Sequence, residues 1–196
     1  MNLLKNILLA PILKQGYKKN LVSGPEVINL EKKSCIGYSI TTSLKGNRKK
    51  EEIPPFFHDI YDNNKLNSLW GQNEQNMYCI FDMHPNSQDF DYYIATDKKA
   101  KHHSLKYAEI TLPKGKYVKV ELMKKNHSAV SKIMMYLRAI WLEANGYKAA
   151  NSPAFILYDK RFHSNYKQHG CIDGNYPGEP IASFFIPLED EKTISA

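Results

Sequence analysis

Seven histidines and three cysteines are the residues of this 196-residue chain best suited to metal ligation or nucleophilic chemistry, and their spacing argues against both. His58, His84, His102, His103, His127, His163 and His169 include no pair four apart followed by a third ligand, the arrangement that sets two imidazoles on one helical face around a metal. His163 and His169 fall with Asp159, Cys171 and Asp173 in one loop region, the nearest approach to a metal or Cys-His site. Cys35, Cys79 and Cys171 are odd in number and far apart, which suits reduced thiols of a cytoplasmic protein rather than a disulfide framework or zinc knuckle. Gly115 follows Pro113 and Lys114 in a turn instead of opening a helix, so no phosphate-cradling loop is present. We assign no metal, cofactor or catalytic set from these patterns. Glu121 is the carboxylate that falls on an alternating strand, beside Lys119. It is either a solvated, salt-bridged strand residue or an acid turned into a pocket, and burial without a partner would cost several kcal/mol, so a buried Glu121 needs a Lys or a ligand.

The elements that must position these groups follow from periodicity. Val27–Thr42 alternates Ile36, Tyr38 and Ile40 with Gly37, Ser39 and Thr41 and predicts a half-buried strand. Leu44–Glu52 lacks apolar periodicity and predicts a solvated loop. Pro54 and Pro55 suit a helix's first turn, ahead of a stripe of Phe56, Phe57, Ile60, Tyr61, Leu66, Leu69 and Trp70 that bends at Asn63 and Asn64 and ends at Gly71. Asn76–Met83 and Phe90–Asp97 predict a hairpin. The order strand, helix, strand, strand then recurs. Lys116–Met123 is a strand, and Ala129–Ala144 a helix with Val130, Ile133, Met134, Leu137, Ile140, Trp141 and Ala144 on one stripe, stopped by Asn145 and Gly146. Ala154–Lys160 and Ile181–Leu188 close the set, separated by a loop over Cys171–Gly178. The fold class is α+β: duplicated strand-helix-strand-strand repeats forming a curved antiparallel sheet, helices on one side, with a cleft between the repeats. The domain spans 27–188, its repeats 27–97 and 110–188, preceded by an extension or docking helix over 1–26 and followed by a tail over 189–196. The opening run Leu3–Leu9 is too short and too interrupted by Lys5 and Asn6 for a spanning helix.

Charge narrows the partners. Between Lys98 and Lys132 ten lysines face only Glu109 and Glu121, a local +8 in a chain whose total is +7. A basic patch attracts anions, but Arg48, Arg138 and Arg161 are the only arginines, and surfaces that read phosphate or base edges use more of that rigid fork. Nucleic acid is therefore not the expected partner.

The second half carries a family likeness. Ile110–Tyr117, with its Pro113-x-Gly115-x-Tyr117 core, Trp141–Leu142 before Asn145–Gly146–Tyr147, Tyr158–Asp159 and the closing Phe184–Phe185–Ile186–Pro187 together resemble the gyrase-inhibitor-like or effector-binding domain attached to AraC-type and MerR-type bacterial regulators. Phe81, Asp82, Tyr92 and Tyr93 echo the pattern in the first repeat. The resemblance covers roughly Val27–Leu188 and implies a concave, aromatic-lined pocket for bulky hydrophobic or cationic amphiphilic molecules, with an acid sunk among rings. It makes Tyr38, Tyr78, Tyr93, Trp141, Phe155 and Phe185 candidates for the wall. The family's acid falls four residues before the final Pro, which here is Ser183 before Pro187. Glu121 is the best substitute, with Asp173 and Glu179 behind it. Regulator relatives carry a helix-turn-helix ahead of this module, and 26 residues before Val27 cannot hold one, so a stand-alone, non-enzymatic, cytoplasmic binding domain is expected. The resemblance also opens two alternatives: a protein-interaction modulator resembling a topoisomerase inhibitor, and a hydrolase acting on strained-ring natural products.

Overall fold

The computed structural model describes residues 23–70, 76–99, 106–122, 127–162 and 182–189. Its strands are β1 (Glu26–Leu30), β2 (Lys33–Ser43), β3 (Met77–Met83), β4 (Asp89–Asp97), β5 (Ala108–Leu112), β6 (Gly115–Leu122), β7 (Ala154–Tyr158) and β8 (Ala182–Pro187). They form one antiparallel sheet in the order β1-β6-β8-β7-β3-β4-β2-β5. Helix α1 (Arg48–Tyr61) follows β2, and α2 (His127–Tyr136) follows β6 and continues through a π-helical turn (Leu137–Trp141) into α3 (Leu142–Ala144).

Connectivity alone requires the sheet to curl. Only Glu31 and Lys32 separate β1 from β2, which lie six positions apart in the sheet. A flat sheet would set them about 29 Å apart at ~4.8 Å per strand. Three Cα steps reach at most about 11 Å. Pro113 and Lys114 impose the same demand between β5 and β6. The edges therefore fold toward each other as a half-barrel, and Ile28 and Leu30 of β1 and Ile110 and Leu112 of β5 join one cluster with Tyr78 of β3 and Phe155 of β7. That face is the concave one.

The pairing registers carry the duplication. An offset of 82 residues maps Glu26–Leu30 onto Ala108–Leu112 and converts the pair Glu26↔Lys119 into Ala108↔Gly37. Each repeat thus has an extra leading strand that pairs with the other repeat, and the two halves meet where β3 lies beside β7. At Gly37 the strands approach so closely that a Cβ would stand 2.2 Å from the Ile94 carbonyl oxygen. Only glycine fits there.

The helices cover the other face. Ile53, Phe57 and Ile60 from α1, with Val130, Ile133 and Leu137 from the second helix, bury against Ile36, Cys79, Tyr92, Ile94, Val118, Val120 and Phe184. The π turn inserts one residue into the stripe, so the burial sequence runs from Leu137 to Leu142 instead of to Ile140 or Trp141.

Several boundaries differ from the sequence expectation. The first strand is two, broken at Glu31–Lys32, and β5 is an additional strand within what reads as an entry motif. Helix α1 begins at Arg48, inside the expected loop, because its first turn is solvent-facing and carries no apolar signal. Pro54 and Pro55 consequently sit inside the helix rather than in its first turn. The expected bend is present, with Asn64 at φ 55°, and Gly146 at φ 74° ends the second helical segment. The docking helix expected near the start, the Cys171–Gly178 loop, His102, His103, His163, His169 and all of the tail after Glu189 lie outside the described residues.

Candidate functional site

Strand alternation decides which side chains enter the concave face. On β6 these are Tyr117, Lys119 and Glu121; on β8, Ser183 and Phe185; on β7, Phe155 and Leu157; on β3, Tyr78 and Ile80; on β4, Tyr93 and Ala95. Phe155 and Phe185 are cross-strand neighbours stacked at 4.5 Å with their planes 14° apart. The rings of Tyr78 and Tyr117 each meet Phe155 edge-on at 5.9 Å. Offset and edge-on contacts of this kind suit the ring quadrupoles. The Tyr117 hydroxyl donates to the Pro113 carbonyl at 2.8 Å, and burial pushes its pKa up to about 12. The family-like Pro-x-Gly-x-Tyr run thus closes on itself: its Tyr ties down the turn that its Pro begins.

Two charged clusters flank this aromatic floor, and Asp82 and Asp91 oppose each other on the same face of β3 and β4. At one end Lys33 pairs with Asp97 at 2.9 Å and lies 5.4 Å from the centre of the Tyr78 ring, while the Tyr78 hydroxyl donates to Asp97 at 3.1 Å. At the other end Glu121, with 13% of its side chain exposed, accepts from Lys119 at 2.8 Å, from Arg161 at 3.0 Å and from the Ser183 hydroxyl at 3.0 Å. Burial alone would raise the Glu121 pKa, but the hydrogen bonds from Lys119 and Ser183 and the charges of Arg161 and Lys119 outweigh it and hold the carboxyl below its ordinary value. Each cation has a second acid: Lys119 meets Glu26 at 3.0 Å, and Arg161 meets Asp159 at 2.7 Å.

Of the eight expected site residues, six share this face: Tyr78, Tyr93, Glu121, Phe155, Ser183 and Phe185. Tyr38 and Trp141 stand on the helix side. Tyr38 shares the parity of Ile36 and Ile40 and meets Tyr107 edge-on at 5.4 Å, and Trp141 stacks on Tyr147 at 6.0 Å. Tyr117, Lys119 and Arg161 were not among the expected residues. Parity with Glu121 along β6 identifies the first two, whereas Arg161 enters from the turn after β7 and leaves no signal in sequence. Among the described residues no group of three or more His, Cys, Asp or Glu side chains could hold a metal ion, and no helix is long and apolar enough to cross a membrane.

A duplicated, curled antiparallel sheet with helices on one face and an aromatic inner face is the architecture of effector-binding domains. Residues 26–173 match the family model described as Cass2, integron-associated effector binding protein, and the chain belongs to that family. Solved structures with the same fold include SAV2435 bound to tetraphenylphosphonium, 18% identical over 85% of this chain and 94% of that one, with a TM-score of 0.61. A putative bacterial transcription regulation protein from Staphylococcus aureus MU50 is 19% identical, over 85% and 99% of the two chains, with a TM-score of 0.58. The integron cassette protein VCH_CASS2, from the mobile metagenome of Vibrio cholerae, is 13% identical over 85% and 97%, with a TM-score of 0.54. No curated protein matches the sequence.

Proposed function

We propose that this protein is a non-enzymatic receptor for a bulky hydrophobic or cationic amphiphilic small molecule, which seats on the concave aromatic face with Glu121 as the acid that meets its positive charge. The observation that carries this reading is the register Glu121↔Ser183. The family likeness expects a carboxylate at Ser183, and the chain supplies one directly across the strand pair, hydrogen-bonded to that serine. The acid has moved by one strand while staying level with Ser183 and Leu157, one row from the stacked rings of Phe155 and Phe185. The tetraphenylphosphonium held by SAV2435 is a ligand of this chemical kind.

Glu121 already carries Lys119 and Arg161, so binding is an exchange of cations. An arriving cation displaces the Arg161 guanidinium, which keeps Asp159, and the carboxylate is never left bare in a desolvated site. The rings then supply apolar area and their negative faces. This reading places the protein in the cytoplasm, where the buried thiols of Cys35 and Cys79, neither in a disulfide, stay reduced. Titration calorimetry and thermal shift with tetraphenylphosphonium test it. The native chain should bind, Glu121→Gln should weaken binding about tenfold or more, in line with loss of one charge-assisted contact, and Arg161→Gln should tighten it. Absence of any stabilisation by tetraphenylphosphonium in a cooperatively melting protein, or equal binding by Glu121→Gln, overturns the proposal.

A further inference from the structure

The face opposite the concave one holds a cavity of about 540 Å³ between α1 and α2. It lies over the junction of the repeats, since Phe81 and Ala154, the pair that joins β3 to β7, are both in its floor with Met83 and Phe90. The volume is that of a ligand site, within the roughly 300–1,000 Å³ usual for small-molecule pockets. No carboxylate is among the described side chains lining it. Four cations are: Lys49 and Lys50 from α1, Lys132 from α2 and Arg138 from the π turn. None of the four forms an ion pair among the described residues, whereas the neighbouring Arg48 is paired with Glu52 at 2.9 Å. Arg138 is exposed at the mouth yet crowded by protein, and that desolvation lowers its pKa.

We propose that this inter-helix cavity is a second ligand site, distinct from the concave one, and that it takes a free long-chain carboxylate, tail inward and head among the four cations. The argument is complementarity at both ends. Among the described residues the floor strands offer Phe81, Met83, Phe90 and Ala154, and Ser131 of α2 is the one uncharged polar side chain in the lining, so the interior suits hydrocarbon. Met83, Met134 and Met135 give part of the lining the unbranched, adaptable side chains that follow a flexible chain. At the mouth, the planar fork of Arg138 matches a carboxylate, and the lysines add unneutralised positive charge from both repeats. A cationic amphiphile would meet four like charges here.

Titration calorimetry with laurate below its micellar concentration, set against dodecanol and dodecyltrimethylammonium, tests the site. Laurate should bind in preference to both. Arg138→Gln should weaken laurate about tenfold, the loss of one charged hydrogen bond. Met135→Glu, a change at a side chain 53% exposed and therefore harmless to folding, should weaken it further by placing an acid at the mouth. Glu121→Gln should leave laurate binding unchanged, and tetraphenylphosphonium should not compete with it, so failure of the concave-face reading leaves this result standing. Binding of dodecyltrimethylammonium as tight as that of laurate, indifference of laurate to both mouth variants, or its loss in Glu121→Gln overturns the proposal.

Discussion

Replacing Glu121 by Gln isolates the charge at the end of the concave face, because the amide oxygen can still accept from Ser183 while both ion pairs are lost. Charged hydrogen bonds contribute about 1.5–3 kcal/mol each. Here the cost is smaller per contact, since Lys119 keeps Glu26 and Arg161 keeps Asp159, and both cations are partly solvated at 25% and 31% exposure. The net loss at neutral pH should be about 1–2 kcal/mol. Its pH dependence is the sharper test. A carboxyl held below its ordinary value of 4.5 contributes stability that is present above that value and lost as the pH falls through the folded one. Urea unfolding followed by circular dichroism, in steps from pH 7 to pH 3, should therefore show a native-minus-variant gap that is full at neutral pH and closes in acid. Other depressed carboxyls cancel because both proteins carry them. A gap that does not narrow at all as the pH falls below 4.5, or that widens, refutes the assignment of Glu121 as the ionised partner of Lys119 and Arg161.

Asp82 should behave oppositely. It lies directly across from Asp91, and burial and then that like charge raise its pKa, so it costs stability at neutral pH and not in acid. Asp82→Asn should stabilise by about 0.2–1 kcal/mol at pH 7, with the advantage gone below pH 3.8 in the same urea series. Gly37→Ala should cost about 3 kcal/mol in urea unfolding, because the new Cβ meets backbone at Ile94 and Ala95 that has no rotamer to yield; a cost below 1 kcal/mol would show that the close approach is not real. Cys35 is fully buried, and burial, then the charge of Asp97, push its thiol up to about 12. Peptide mapping after maleimide treatment at pH 8 should find Cys35 unlabelled in the folded protein and labelled in urea.

The duplication was legible because strands such as β6 and the stripe of the second helix bury one face and so impose a period. What escaped was built from residues that bury little or break the period. Helix α1 starts on Arg48, Lys49 and Lys50, a run of cations that carries no apolar rhythm. Strand β5 is five residues of a sheet edge that ends at a proline, and the Glu31–Lys32 break is two residues in an otherwise extended run. The π turn is a backbone event with no composition of its own, yet it rotates Trp141 out of the position that helical spacing assigns it. On the site, the family resemblance makes Tyr38 a wall candidate beside Tyr93, but parity along β2 ties it to Ile36 and Ile40 and so to the helices. Glu121 was found from alternation; its partner Arg161, 40 residues away in sequence, is a consequence of tertiary structure alone.

The two faces use the duplication in opposite ways. On the concave face the pseudo-twofold relates the row Gly37–Ala95–Tyr78 to Lys119–Phe185–Phe155, and the row Ser39–Tyr93–Ile80 to Glu121–Ser183–Leu157. Gly37, Ala95 and Ser39 of the first repeat stand where the second has Lys119, Phe185 and Glu121, so the two halves of this face present different chemistry to a ligand. Gly37 shows why the symmetry had to be broken: the strand crossing that leaves no room for a Cβ leaves none for a second Lys119. On the helix face each repeat contributes two cations, Lys49 and Lys50 from one and Lys132 and Arg138 from the other, around a floor centred on the twofold junction. A symmetric ring of charge does not orient a rigid molecule, but it does hold the single head of a flexible one. The asymmetric face is therefore the one suited to recognising shape, and the symmetric face the one suited to recognising charge at the end of a chain.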